Sequence, residues 1–275
     1  MRVDVDGVDD PRLDDYRRLN EPTERRRVER AGDFFIAEGE LVIRTLIGTQ
    51  PRWPIKSVLV TPQRYEAMAG VLDGVASDGG VPVYVAPLET LRAVSGFDVH
   101  RGALASAERT PPRDAATVLG HAKTVLVLEA VSDHENLGAL FRNVAALAPG
   151  GAILLGPRTG DPLYRRSLRV SMGHVLHVPY ARIDDDLRGL DDAGYCVAAL
   201  TPSPGAEPIS SLRSNETTKK TALLLGAEGP GLTDEWLARA HRKVRIPMSE
   251  GVDSLNVAVA AAIALYELRR LEDVG

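Results

Sequence analysis

The sequence has a single cysteine, few aromatic residues and no long uninterrupted apolar run. Cys196 has no intrachain disulfide partner, and its position in the strand-like segment YCVAAL favours a small buried apolar side chain over a reactive thiol. The longest uncharged apolar run, residues 255–266, is too short to cross a bilayer. The N-terminal segment MRVDVDGVDD is acidic and lacks the apolar stretch of a signal peptide. These absences predict a cytoplasmic protein with no membrane-spanning segment.

The sequence also lacks an excess of basic residues. It has 33 Lys and Arg against 38 Asp and Glu, a formal net charge of −5, whereas nucleic-acid-binding domains are often basic. Only five of the 33 basic residues are lysine. The excess of arginine over lysine suits bidentate phosphate contacts, but a GC-rich genome would produce the same excess. The basic residues form local clusters at Arg25, Arg26, Arg27 and Arg30; Arg165, Arg166 and Arg169; and Arg242, Lys243 and Arg245. Charge therefore says little about a nucleic-acid partner.

A polar segment with two prolines divides the chain. Residues 107–116 (AERTPPRDAA) lack apolar periodicity, which is typical of a linker. Strand and helix patterns alternate on both sides of it, and later strands such as TVLVLEAV and TALLLGAE are apolar throughout. This pattern predicts a parallel sheet covered on both faces by helices. We therefore predict an α/β fold with an N-terminal domain (1–106), a linker (107–116) and a C-terminal domain (117–275).

The last predicted helix, from Ser254 to about Arg270, is apolar on every side through its first three turns. A helix of this kind is buried all round. Its many alanines allow a neighbouring backbone to approach closely. We therefore expect it to pack inside the domain or between two copies of it.

Three segments place polar residues and glycines after predicted strands, at the edge where open parallel sheets bind ligands. They are DHENLG (133–138) with Arg142 beyond it, GAEGPG (226–231), and the stretch from Glu250 to Asn256. Each has a simpler structural explanation. Asn136 and Ser254 are possible helix caps, the glycines permit a turn with positive φ, and Arg142 lies away from the apolar face of its helix, where solvent would surround it.

The same segments exclude some ligands. GAEGPG is neither the dinucleotide fingerprint G-x-G-x-x-G nor a phosphate-binding loop, so it suits a ligand held by backbone groups without a phosphate. His174 and His177 have a spacing compatible with metal binding, but no third ligand is evident in the sequence. We predict no metal site.

In their order along the chain and in their residues, three motifs resemble the signatures of SpoU-type RNA ribose methyltransferases of the SPOUT superfamily: NLGALFR, LLLGAEGPGL and IPMSEGVDSLNVAVAAAIALYE. The resemblance spans residues 124–271. It extends more weakly to FIAEGELVIRTLI and HRGALASAE, which resemble that family's RNA-binding, ribosomal-protein-like module. One difference is local, since family members commonly have Asp-Pro before the motif asparagine and this chain has Asp133-His134-Glu135.

The resemblance implies a C-terminal SPOUT domain with a deep trefoil knot, preceded by a small α/β RNA-binding domain, and a homodimer whose active site lies at a two-fold contact. It implies S-adenosylmethionine as cofactor and RNA as substrate, with ribosomal RNA favoured over transfer RNA. The cofactor-binding positions by motif match are Thr201, Gly226, Ile246, Met248 and Leu255. By the same match, Arg142 stabilises the developing 2′-alkoxide, and the groups that orient it and the ribose are Asn136, Glu228, Ser254 and Asn256.

Two other functional classes stay open in the sequence. One is a catalytically inactive RNA-binding or assembly factor on the same fold, against which the retention of all three motifs argues. The other is a Rossmann-like enzyme that uses a dinucleotide, against which the absent phosphate fingerprint argues. Binding of S-adenosylmethionine rather than NAD would distinguish them.

Overall fold

The computed structural model describes residues 2–21, 23, 33–78, 80–99, 102–213 and 220–272. The chain forms two compact units. The N-terminal unit comprises Met1–Pro111 and Leu163–His177, and the C-terminal unit comprises Pro112–Pro162 and Val178–Gly275. The predicted basic cluster at Arg25–Arg30 lies outside the described residues. None of the helices described is both long enough and apolar enough to span a membrane.

Strands and helices alternate along most of the chain. The strands are β1 (Arg2–Asp4), β2 (Phe34–Glu38), β3 (Ile55–Val60), β4 (Val83–Val85), β5 (Ala103–Glu108), β6 (Thr124–Leu128), β7 (Ala152–Leu155), β8 (Tyr180–Arg182), β9 (Cys196–Leu200), β10 (Glu207–Pro208), β11 (Thr221–Leu225) and β12 (Arg242–Arg245). The α-helices are α1 (Glu40–Gly48), α2 (Pro62–Asp78), α3 (Leu88–Ser95), α4 (Ala115–His121), α5 (His134–Leu147), α6 (Arg165–Val170), α7 (Arg188–Asp192), α8 (Asp234–Arg239) and α9 (Val257–Glu272). Short 3₁₀ helices occupy Pro11–Tyr16, His174–Leu176 and Ile209–Arg213.

The N-terminal unit contains a mixed sheet of five strands in the order β1-β4-β3-β5-β2. Strands β1, β4 and β3 are parallel, whereas β5 runs antiparallel to both β3 and β2. The expectation of a parallel sheet is therefore wrong for this part of the unit. The predicted linker also begins too early, because Ala107 and Glu108 are the last residues of β5.

The segment 163–177 follows β7 in sequence but packs in the N-terminal unit. Nη1 of Arg165 lies 2.8 Å from Oε2 of Glu38, and the Arg165 guanidinium stacks 3.9 Å from the centroid of the Phe97 ring. The indole N–H of Trp53 donates to the carbonyl of Leu176 at 3.1 Å. This segment was predicted to belong to the C-terminal domain, and at least one arginine of its basic cluster is used in an internal ion pair.

The C-terminal unit contains a sheet of seven strands in the order β10-β12-β9-β11-β6-β7-β8. Every neighbouring pair in it is parallel, as the apolar strand patterns predict. Strands β12, β9, β11 and β6 are adjacent, so the three motif segments leave the sheet at the same edge. The knot implied by the resemblance stays a prediction.

The last helix, α9, packs against α5 and is not buried all round. Ala261, Ala264 and Leu265 are at most 1% exposed, while Val259, Ile263 and Tyr266 are 49%, 39% and 60% exposed. Of the two arrangements expected for this helix, complete enclosure within its own domain is wrong, and packing between two copies stays a prediction. The exposed side chains recur at helical spacing and form an apolar stripe, which we call the α9 stripe (Val259, Ile263 and Tyr266).

Candidate functional site

A cavity of ≈ 420 Å³ lies at the carboxyl ends of β9, β11 and β12. This volume falls within the range of small-molecule sites in proteins, roughly 300–1,000 Å³. The cavity is lined by the segments that follow the three strands and by the residues before α9. All five residues predicted to bind a cofactor line it: Thr201, Gly226, Ile246, Met248 and Leu255.

The loop 226–233 forms one wall of the cavity. The loop folds back on itself at Gly226, where the absence of a side chain lets the backbone of Gly231 and Leu232 approach closely. A Cβ atom at Gly226 would lie 2.2 Å from the carbonyl carbon of Gly231 and 2.3 Å from the nitrogen of Leu232. No side chain fits there. The explanation of these glycines as turn residues holds for Gly229 and Gly231, whose φ angles are 88° and 72°.

One side chain, Asn256, connects the three motif segments. Its Nδ2 group donates to Oδ1 of Asn136 and to Oε1 of Glu228, each at 2.8 Å. Glu228, Asn256 and Ser254 line the cavity, and Asn136 is joined to it through Asn256. The structure thus brings together four of the residues predicted to act in catalysis.

The helix caps are not the residues that the simpler explanation named, Asn136 and Ser254. Asp133 caps α5, because its Oδ1 accepts from the backbone N–H groups of Glu135 and Asn136, each at 2.9 Å. Asn256 caps α9, because its Oδ1 accepts from the N–H groups of Ala258 at 3.0 Å and Val259 at 3.2 Å. Neither Asn136 nor Ser254 is a helix cap, and the side-chain oxygen of Asn136 instead accepts from Asn256.

Arg142 lies on the exposed side of α5, whereas Leu137, Leu140, Phe141 and Val144 are buried. This agrees with the helical-wheel expectation. Among the residues that the structure describes, the side chain of Arg142 has neither a hydrogen bond nor an ion pair, and Arg142 is absent from the described cavity lining. Its assignment as a catalytic residue stays a prediction.

Sequence reasoning missed Glu129, which directly follows β6 and is 2% exposed. Its carboxylate accepts two hydrogen bonds from Thr233, one from the backbone N–H at 2.9 Å and one from the hydroxyl at 2.7 Å. A charged residue at the end of an apolar strand is seldom buried unless it is paired. The charged Glu129 within the otherwise apolar segment TVLVLEAV was therefore the sequence signal for a paired, buried carboxylate.

Comparisons with known proteins agree with this geometry. Residues 123–266 match the model of the SpoU rRNA Methylase family. A protein of Mycobacterium tuberculosis (strain ATCC 25618 / H37Rv), named an uncharacterized tRNA/rRNA methyltransferase, is 44% identical over 270 residues, which cover 97% of this chain and 91% of the relative.

Solved structures have the same fold. The crystal structure of an AdoMet-bound rRNA methyltransferase from Sinorhizobium meliloti aligns with a TM-score of 0.78 at 27% identity over 98% of each chain. The SpoU methyltransferase AviRb from Streptomyces viridochromogenes, solved with AdoMet, aligns with a TM-score of 0.78 at 22% identity over 97% of this chain and 100% of that one. At that identity, the second likeness is one of fold alone.

Proposed function

Because the chain belongs to the SpoU rRNA methylase family, we propose that it transfers a methyl group from S-adenosylmethionine to a ribose 2′-hydroxyl of RNA. The observation that carries this proposal is the hydrogen-bonded set Asn136–Asn256–Glu228, two members of which line the cavity. Ribosomal RNA is the favoured substrate class, supported by the name of the S. meliloti relative.

The cavity suits S-adenosylmethionine better than it suits a dinucleotide. Ile246, Met248 and Leu255 supply apolar surface for an adenine ring. The charged side chains among the described lining residues are the acids Glu228 and Asp253. Negative charge is complementary to a sulfonium cation and unfavourable for a pyrophosphate. The bound cofactor supplies a methyl group that is already activated for displacement.

Arg142 acts on the attacking oxygen in this proposal. A ribose hydroxyl is a very weak acid, so its reaction is accelerated by a cationic group that stabilises the developing alkoxide. The guanidinium of Arg142 is exposed, and its planar arrangement of donors can hold the hydroxyl and the adjacent phosphate together. Because an RNA ribose carries a 2′-hydroxyl and DNA does not, this role restricts the substrate to RNA.

Asn256 and its partners have an orienting role. Glu228 and Asn136 each accept one hydrogen of the Asn256 amide, which holds the ends of three chain segments in one arrangement. Ser254, two residues before Asn256, is exposed and lines the cavity. Fixed placement of reacting groups contributes substantially to rate. We assign to Asn136, Glu228, Ser254 and Asn256 the positioning of the ribose and of Arg142.

The active form in this proposal is a homodimer. The α9 stripe exposes three large apolar side chains on one helix, and a two-fold contact between identical stripes would bury them. The N-terminal unit supplies RNA affinity, with a contribution from the arginines at positions 25–30, which lie outside the described residues. The deep trefoil knot belongs to the same proposal.

The test is methylation by the full-length protein with labelled S-adenosylmethionine and with separated ribosomal and transfer RNA. We expect label in ribosomal RNA, recovered after digestion as a 2′-O-methylated nucleoside. A matched RNA with a single 2′-deoxy nucleotide at the modified position should accept no label. Label on a base would overturn the assignment to ribose. RNA binding without any methyl transfer would instead identify the protein as an inactive RNA-binding factor.

A further inference from the structure

The buried carboxylate of Glu129 is held by one residue of the cavity loop. Both of its oxygens accept from Thr233, at 2.9 Å from the backbone N–H and at 2.7 Å from the hydroxyl. A carboxylate that is 2% exposed is costly unless hydrogen bonds compensate its lost hydration. The two bonds to Thr233 therefore constrain where the backbone of Thr233 can lie.

Thr233 ends the loop 226–233, which forms one wall of the cavity. Its hydroxyl also accepts from the N–H of Trp236 at 3.4 Å, so Thr233 caps the N-terminus of α8. The loop starts beside Glu129 as well, because the Glu129 N–H donates to the carbonyl of Leu225 at 2.8 Å. Glu129 thus contacts the chain at both ends of the loop, immediately before Gly226 and at Thr233.

Within the loop 226–233, close backbone contacts limit how far one end can move without the rest. Gly226 lies against the backbone of Gly231 and Leu232, and the Gly231 N–H donates to the carbonyl of Ala227 at 3.0 Å. Glu228 projects from this loop to Asn256. A shift of Thr233 would therefore move the cavity wall and the Glu228 carboxylate with it.

We propose that Glu129 is a positioning residue for cofactor binding: through Thr233 it holds the loop 226–233 in the shape that forms the S-adenosylmethionine cavity. This rests on the cofactor named in the proposed function, and it does not depend on which RNA atom is methylated. If Glu129 served stability alone, its replacement would lower the unfolding temperature and leave the cofactor affinity of the folded protein unchanged.

The test is calorimetric titration of the full-length protein with S-adenosylmethionine, together with thermal unfolding of each variant. Glu129→Ala should raise the Kd by about tenfold or more, the size of effect known for groups that orient the ligands of a metal site. Thr233→Val removes one of the two hydrogen bonds and should raise the Kd less. Thr233→Ser keeps the hydroxyl and should bind almost as the natural protein does.

The matched control is Glu38→Gln, which alters a carboxylate that is 4% exposed in the N-terminal unit. It should lower the unfolding temperature without changing the Kd. A Kd within about twofold of the natural value in folded Glu129→Ala and Thr233→Val would overturn the proposal. If Glu129→Ala does not fold, equal affinities of Thr233→Val and Thr233→Ser would overturn it. The titration contains no RNA, so failure of ribose methylation would affect the proposed function alone.

Discussion

Nδ2 of Asn256 lies 2.8 Å from Oδ1 of Asn136, although 120 positions separate the two residues in the sequence. The same amide group donates to Glu228, and the Asn256 oxygen caps α9. One side chain therefore uses its donors to join motif segments and its acceptor to begin a helix. The two uses can be separated by substitution.

Asn256→Asp should keep the cap and lose the donors. A carboxylate accepts from the first N–H groups of α9 as well as an amide does, so the free energy of unfolding should change by less than about 1 kcal/mol. The new carboxylate would face that of Glu228 and repel it. We expect single-turnover methyl transfer to fall by about 10²-fold, the effect of misplacing reacting groups.

The control for this substitution is Asn143→Ala. Asn143 also lies on α5 and donates to α9, at 2.7 Å to the carbonyl of Ala258, but it is not among the described residues that line the cavity. Its loss should cost about 1 kcal/mol of stability and little activity. Equal losses of activity in Asn143→Ala and Asn256→Asp would show that any contact between α5 and α9 suffices, and would refute a specific orienting role for Asn256.

Arg142→Ala should separate catalysis from folding and binding. The side chain is exposed and unpaired among the described residues, so its removal should change stability by no more than about 0.5 kcal/mol. Methyl transfer at saturating cofactor should fall by about 10²–10³-fold. Arg142→Lys should restore little, because lysine keeps the charge and loses the planar set of donors.

Arg188→Ala serves as the matched control, since Arg188 is an exposed arginine of the same unit that pairs with Asp186 at 2.7 Å. It should retain natural rates in the same single-turnover assay. Near-natural rates in Arg142→Ala would remove Arg142 from the mechanism, whatever the substrate.

Gly226→Ala should abolish cofactor binding because the added methyl group collides with the loop backbone. The added methyl would lie 2.2 Å from the backbone of Gly231, so the loop would have to move away. Gly120→Ala is the matched control, because a Cβ there meets nothing within 4 Å. Calorimetric titration with S-adenosylmethionine should show no binding for the first and natural affinity for the second. Natural affinity in Gly226→Ala would mean that the cofactor binds elsewhere.

Ile263→Glu should disrupt the proposed dimer. The substitution places a charge in the middle of the α9 stripe, where a two-fold contact would bury two such charges without partners. Light scattering at micromolar protein should give a monomer mass, and methyl transfer should fall. Leu41→Glu changes a comparably exposed side chain in the N-terminal unit, 43% against 39% exposed, and should leave the mass unchanged. A monomer mass for the natural protein would refute the dimer directly.

Much of the C-terminal fold could be predicted from local patterns. Strands such as TVLVL and TALLL are apolar on both faces, which only a sheet covered on both sides accommodates, and the structure pairs them in parallel. The five cavity residues were identified by the motif resemblance, whereas the order of strands and motifs predicted only that the three segments leave the sheet at one edge. In the N-terminal unit, β5 (ALASAE) escaped prediction because its small and polar side chains carry no clear apolar alternation.

Other features depended on contacts between distant residues. Local spacing allowed Asn136 and Ser254 as caps, but the caps are Asp133 and Asn256. The long-range feature is the bond from the Asn256 amide to Asn136, which 120 positions of sequence could not reveal. The apolar sequence of α9 marked every side as suitable for burial, but α5 covers only one of them.

The sequence by itself determined the α/β class and the strands of the parallel sheet other than β10, because apolar patterns act over short separations, and its motifs located by resemblance the residues that line the cavity. Only the tertiary structure decided that Glu129 holds Thr233 across 104 positions and that residues 163–177 pack with the N-terminal unit. A buried charge needs a partner, and an apolar side chain needs a neighbour. Which partner each one finds depends on where the whole chain places segments that are remote in sequence.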